Sequence, residues 1–217
     1  MSGTLDLQGL RIFHQERLVV DLNLTVPPGD VLTIMGASGS GKSTALAAIT
    51  GTLPPAFRLE GRILLAGRDV TTLPPHQRRI GLLFQDDVLF PHLSVGQNLG
   101  FALPPSVKGR AARRALIDAA LDQAGLPGFA ARDPATLSGG QRARVALMRT
   151  LLAQPCALLL DEPFSRLDAG LRAQIRGFVL SRIHENGLAT ILVTHDAEDA
   201  RAMSGRVVSP LGTPVPL

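Results

Sequence analysis

The sequence predicts an α/β fold in which a parallel sheet is covered by helices on both faces, with short antiparallel strands near the N-terminus. Three observations predict it. Apolar runs at 31–35, 157–160 and 188–193 are short and broken only by Thr33 and Thr190, as expected of strands buried on both faces. Helical stretches at 42–50, 141–153 and 169–185 alternate with them, the pattern that produces a helix-covered parallel sheet. The chain has 217 residues, 45% of them apolar, enough for one domain to bury a core without disulfides.

The elements follow in order. Residues 5–7, 18–26 and 62–65 read as short strands, with a turn at Pro27-Pro28-Gly29. The run Val31–Met35 stops at glycine, and a glycine-rich loop leads into the helix at 42–50. Residues 80–84 form another strand. From 86 to 136 the character changes: loops containing Pro91, Pro104 and Pro105 lead to an Arg/Ala-rich helix at 108–124, stopped by Gly125. Alternation then resumes, with the helix at 169–185 ended by Asn186-Gly187. The expected organisation is one domain over 1–217, with a core of 1–85 and 137–217 and a helical insertion at 86–136. No internal repeat or low-complexity segment interrupts it.

Composition excludes several classes. No apolar run approaches the roughly 18–20 residues needed to cross a bilayer, so membrane contact requires a partner. The N-terminus lacks a basic segment followed by an apolar one, so no secretory signal is expected. Cys156, the only cysteine, excludes a disulfide framework and a cysteine zinc site, and reads as a small core residue. The net charge of +4 is small and scattered. Its densest cluster, Lys108, Arg110, Arg113 and Arg114, reads as a solvated helix face, and no nucleic-acid partner is expected.

Gly36-Ala37-Ser38-Gly39-Ser40-Gly41-Lys42-Ser43 matches G-x-x-x-x-G-K-[ST] in full, between an apolar strand and a helix that continues through Thr44. Glycines let successive backbone N–H groups turn inward onto phosphate oxygens, and the helix N-terminus adds positive potential. Lys42 is expected to reach the β- and γ-phosphates, and Ser43 to hold Mg²⁺. Alone, the motif indicates only a P-loop nucleotide binder, and kinases, GTPases and motors share it; taken with the whole parallel-sheet pattern, the expected core is that of a P-loop NTPase of RecA-like type.

The strand at 157–160 ends in Asp161 and Glu162. A buried parallel strand delivers its C-terminal residues to the ligand edge of the sheet. Asp161 is expected near Ser43, holding Mg²⁺, and Glu162 facing the γ-phosphate, where it orients or deprotonates the attacking water.

Leu137-Ser138-Gly139-Gly140-Gln141 opens the helix that carries Arg142, Arg144, Val145 and Arg149, and makes a second helix N-terminus suited to an anion. At this point the chain resembles the ABC ATPase family, whose LSGGQ signature lies between the phosphate loop and the acidic strand, as here. The resemblance implies a head-to-tail pair of chains, in which Ser138, Gly139, Gly140 and Gln141 of one copy close over ATP held by the other. It implies that Gln85 is the glutamine that touches Mg²⁺ or water and senses the membrane subunits. It also implies that His195 contacts the γ-phosphate and that Asp168 crosses the dimer interface. Phe13 stands where the family has an aromatic residue on adenine, although core packing accounts for it equally. His14, His76, His92 and His184 match no motif and read as ordinary surface or core residues.

Two departures stand out. Arg166 replaces the usual Ala or Lys, and the chain runs only to Leu217, leaving no room for the regulatory C-terminal domain of many importer ATPases. The stretch from Phe84 to Leu99 resembles ATPases of bacterial importers for iron, sulfate, polyamines and thiamine. There Phe90 and Leu93 are either exposed contacts for a permease or packed internally. The implied partners are a second copy, an integral membrane permease and, indirectly, a substrate-binding protein. The implied location is the cytoplasmic face of the inner membrane, reached through the permease. Two other classes stay open: an ABC ATPase driving lipoprotein release or envelope remodelling, and a soluble non-transport ABC ATPase.

Overall fold

The computed structural model describes residues 3–85, 88–165 and 167–217. Arg166, singled out above, lies outside the described residues. The chain opens with β1 (Leu5–His14) and β2 (Arg17–Val26), then β3 (Val31–Met35), the loop and α1 (Lys42–Thr50). Next come β4 (Phe57–Leu65), β5 (Arg68–Asp69), α2 (Pro75–Arg78) and β6 (Ile80–Leu83). Helices α3 (Val95–Ala102) and α4 (Arg110–Gln123) precede α5 (Gly139–Leu152). The final third is β7 (Ala157–Asp161), α6 (Ala169–Asn186), β8 (Ala189–Thr194), α7 (Ala197–Ala202) and β9 (Arg206–Val208).

These strands form two sheets: a parallel one in the order β6-β7-β8-β3-β9 and an antiparallel one in the order β2-β1-β4-β5. Side-chain alternation explains why continuous apolar runs build the parallel sheet. In β7, Ala157 and Leu159 pack with α1 and the antiparallel sheet, whereas Leu158 and Leu160 pack with α5 and α6. Ile191 and Leu192 of β8 divide in the same way. A third apolar cluster joins α3 and α4 to α5 through Val95, Leu99, Leu121 and Val145.

The structure corrects several expected boundaries. β1 is a ten-residue strand rather than three residues, because a bulge at Gly9, with φ +55°, shifts its register without ending it. Helix α3 was not anticipated, although Ser94 and Gln97 form a capping box around its first turn. Arg113 is not on a solvated face. Its guanidinium donates to the Gly100 carbonyl at 2.5 Å and ties α4 to the end of α3. Cys156 is half-buried against the main core.

Buried Arg78, at the end of α2, fixes the far end of the loop helix. Its guanidinium donates to Ala48 O at 2.8 Å and Ile49 O at 2.9 Å, in the last turn of α1. It also donates to Thr71 O at 2.6 Å and Leu73 O at 2.7 Å. A cation here faces the negative end of the helix dipole. Gly51, with φ +83°, closes α1 so tightly that a Cβ would lie 2.6 Å from Arg78 Nε.

Candidate active site

In a parallel sheet every strand delivers its C-terminal end to the same edge. Four neighbouring strands, β6, β7, β8 and β3, therefore bring Gln85, Asp161-Glu162, His195 and the 36–43 loop together. The registers Leu83↔Leu160, Asp161↔Val193 and Met35↔Thr194 fix these ends at similar heights.

The loop between β3 and α1 needs its glycines. Gly39 has φ +76° and Gly41 φ +106°, and a Cβ on Gly41 would lie 2.8 Å from the Val19 carbonyl oxygen. Gly41 occupies the N-cap of α1 without a side-chain cap, so the first N–H groups of the helix face the loop. Ser40 Oγ is buried and has no hydrogen-bond partner among the described residues. Such an orphan in a left-handed, glycine-lined cradle fits an anionic, acceptor-rich ligand such as a polyphosphate.

Lys42 is buried, with Nζ donating to Gly36 O at 2.8 Å and Ala37 O at 3.0 Å. The same Nζ lies 3.7 Å from Glu162 Oε1. The other oxygen of Glu162, Oε2, is 3.0 Å from His195 Nδ1. The Glu162 backbone is left-handed at φ +45°, an uncommon state for a residue with a side chain and one that clusters at functional sites. Its N–H donates to Val193 O at 2.9 Å, which pins the turn to β8. Burial, and secondarily the neighbouring Glu162 charge, raise the Asp161 carboxyl above its ordinary range, against the opposing pull of Lys42. A carboxylate held under that penalty suits a hard divalent cation, and Ser43, which follows Lys42 in the first turn of α1, is exposed. Gln85 Nε2 donates to Ser165 Oγ at 3.1 Å, and Ser165 Oγ donates to Glu162 O at 2.9 Å.

Ser138 is the exposed N-cap of α5, in a capping box with Gln141. Its neighbours are the residues around Asp168: Gly139 faces Leu167, and Gly140 sits beneath Leu171. Asp168 is the exposed N-cap of α6, accepting from Leu171 N at 3.0 Å. Residues 137–141 do not line the cavity of about 280 Å³ beside the phosphate loop. That cavity is lined by Gly39, Ser40 and Thr44 together with His14, Leu18 and Phe57. His14, read above as an ordinary surface or core residue, is exposed, and its ring lies 4.9 Å from Phe57 at the cavity wall. The half-buried Phe13 ring instead carries the Arg58 guanidinium 4.4 Å from its centre.

In the helical insertion, Phe90 and Leu93 are half-buried rather than fully exposed, and Phe90 packs edge-on against Phe101 at 5.0 Å. Among the described residues of the insertion the exposed large apolar side chains are Val88, Phe101 and Leu116, with Phe101 71% exposed, and Phe84 is exposed just before it. Two cavities of about 520 and 490 Å³ share Phe101. Buried Asn98 shapes this region. Its amide donates to Phe90 O, Leu93 O and Ser94 O, each at 3.1 Å, and accepts from Phe90 N at 2.8 Å. Phe101 and Asn98 escaped sequence reasoning; the Ser94-x-x-Gln97 capping pattern is the signal that could have placed their helix. Among the described residues no helix is long and apolar enough to cross a membrane.

Residues 19–165 match the family described as ABC transporter. The chain is 52% identical over 190 residues to the uncharacterized ABC transporter ATP-binding protein YnjD of Escherichia coli K12, covering 88% of this chain and 87% of that one. It is 44% identical over 204 residues to the thiamine import ATP-binding protein ThiQ of Cereibacter sphaeroides, covering 91% and 87%. It is 42% identical over 190 residues to the Fe(3+) ions import ATP-binding protein FbpC 1 of Rhizobium meliloti, covering 88% of this chain and 53% of that longer protein.

Proposed function

The chain belongs to the ABC transporter family, as an ATP-binding subunit and ATPase of importer type, and from that premise we propose that it hydrolyses ATP to drive import through a separate membrane permease. The observation that carries this reading is Glu162, held between Lys42 at 3.7 Å and His195 at 3.0 Å on the shared strand edge.

The N–H groups of the 36–43 loop, with Lys42 and Thr44, bind the phosphates. Glu162 orients the attacking water and takes its proton, and His195 contacts the γ-phosphate. Ser43, Asp161 and Gln85 would hold Mg²⁺, which neutralises charge on the phosphates. Ser138, Gly139, Gly140, Gln141 and Asp168 serve the nucleotide of a second copy. Ser138 and Asp168 are exposed, and none of the five lines the phosphate-loop cavity, which supports that arrangement. The core of 1–85 and 137–217 carries the chemistry, and the 86–136 insertion, with Phe101 and Phe84 exposed at its edge, meets the permease on the cytoplasmic face of the membrane. A substrate-binding protein completes the import system, and thiamine and ferric iron are the cargo classes that the relatives' names suggest.

Glu162→Gln tests the reading. The amide keeps shape but cannot take a proton, so the variant should bind ATP, lose turnover and elute as a dimer with MgATP. Wild-type turnover in that variant would refute the assignment of Glu162. An ATP-saturated variant that stays monomeric at high protein concentration would refute the shared site.

A further inference from the structure

The first turn of α6 touches two groups that act in different nucleotide sites. Leu171 lies over the signature helix so closely that a Cβ on Gly140 would be 2.4 Å from Leu171 Cδ1. The next residue points the other way: Arg172 NH1 donates to Asp196 Oδ2 at 2.5 Å. Asp196 directly follows His195. Its second oxygen, Oδ1, accepts from Glu198 N at 2.8 Å and caps α7, and its own N–H donates to Thr194 Oγ1 at 3.0 Å. One turn further along α6, buried Arg176 donates to Asp199 Oδ1 at 3.0 Å and to Glu198 Oε1 at 2.9 Å. Two arginines of α6 therefore hold three carboxylates at the start of α7.

The Arg172–Asp196 pair is shielded, with side chains 19% and 30% exposed, so it is stronger than a fully solvated pair. His195 sits between Thr194, at the end of buried β8, and this clamped Asp196. The ring of His195 is itself 56% exposed and touches Glu162 with one nitrogen. Apart from that contact, no side-chain hydrogen bond among the described residues holds the ring.

We infer that Arg172 is a positioning residue: through Asp196 it holds His195 against Glu162, and it does so from the helical turn that begins at Asp168 and packs on the signature. A shift of the signature helix against a partner's nucleotide would move Leu171 and Arg172 together. The inference rests on the roles proposed above for Glu162 and His195.

Two substitutions separate positioning from scaffolding. Arg172→Met keeps the aliphatic stem and removes the charge. Asp196→Asn keeps a good N-cap for α7 and removes the opposite charge. Steady-state ATPase activity of the purified chain is measured beside Tm and the Kd of a fluorescent ATP analogue. Each variant should lower kcat by about tenfold to a hundredfold, the scale of a misplaced catalytic group, with KM and Kd within about twofold of wild type. The double variant should be no slower than the slower single one, because both remove one contact. Arg172→Lys should recover part of the loss. Unchanged kcat in Arg172→Met, multiplicative losses in the double variant, or kcat falling only in step with Kd and Tm would each overturn the inference while leaving the ATPase reading intact. Absence of turnover in the wild-type chain, or turnover that survives Lys42→Ala, would overturn that reading and this inference with it.

Discussion

Replacing Arg78 by methionine tests how the loop helix is held from behind. Four carbonyl oxygens, of Ala48, Ile49, Thr71 and Leu73, accept from this one buried guanidinium. Charged hydrogen bonds contribute about 1.5 kcal/mol or more each, so four supply about 6 kcal/mol before costs. Burial of the cation, which also lowers its pKa, takes back several kcal/mol. Methionine retains the packing of the stem but leaves the carbonyls at the α1 C-terminus with fewer donors. A net destabilisation of about 3 kcal/mol follows, which is about 6–12 °C in Tm for a domain of this size. Thermal and urea unfolding of the nucleotide-free protein would read it, with an unchanged m-value marking a pure stability effect. Arg78→Lys should recover little, since one ammonium cannot fork toward carbonyls on α1 and on the 71–73 segment at once. A methionine variant within about 2 °C of wild type, or a lysine variant equal to it, would refute the reasoning and mean that the guanidinium only breaks even with its desolvation.

Three further outcomes are expected. Asp161 has a raised folded-state pKa, so the folded chain binds its proton more tightly than the unfolded chain, and the ionised carboxylate destabilises the fold above the ordinary carboxylate range. Asp161→Asn should therefore raise Tm at pH 7 while abolishing Mg²⁺-dependent turnover, and the gain should shrink as pH falls toward that range; a lower Tm at pH 7 would contradict it. Phe101→Asp should leave Tm and basal ATPase activity near wild type and weaken co-purification with the permease, whereas Phe90→Asp, inside the Asn98 clamp, should lower Tm as well. Mixing Lys42→Ala chains with Ser138→Arg chains should restore some ATPase activity, because one hybrid interface pairs an intact phosphate loop with an intact signature. Wild-type activity in Ser138→Arg alone would contradict the shared site.

Much of this architecture was legible because it rests on local rules. A strand that ends in glycine before G-x-x-x-x-G-K-S, a strand that ends in Asp161-Glu162, and Ser-Gly-Gly before a helix each state their geometry within about ten residues. Where the determinants are non-local or single, the sequence is silent. Nothing around Gly9 reveals that a bulge carries β1 on to His14. Residues Arg206–Val208 form a strand only because β3 offers a free edge. Arg78, Asn98 and Arg172 are solitary polar residues with no periodic pattern, and their partners are set by the packing of distant elements. Phe13 is singled out by resemblance, yet only the fold decides that its neighbour His14 is the one beside Gly39 and Ser40.

The position of β3 has a consequence for how the chain is made. Its two neighbours, β8 and β9, come from the far end of the sequence, whereas the antiparallel sheet is complete within residues 5–69. During synthesis the N-terminal sheet can pair early, but the strand leading into the phosphate loop has no partner until residues 189–194 emerge. Such distant pairings raise the entropic barrier and slow folding. A partly synthesised or C-terminally truncated chain therefore carries the whole phosphate-loop sequence without the sheet that shapes it. ATP, which stabilises only what it binds, rescues the finished chain and not the fragment.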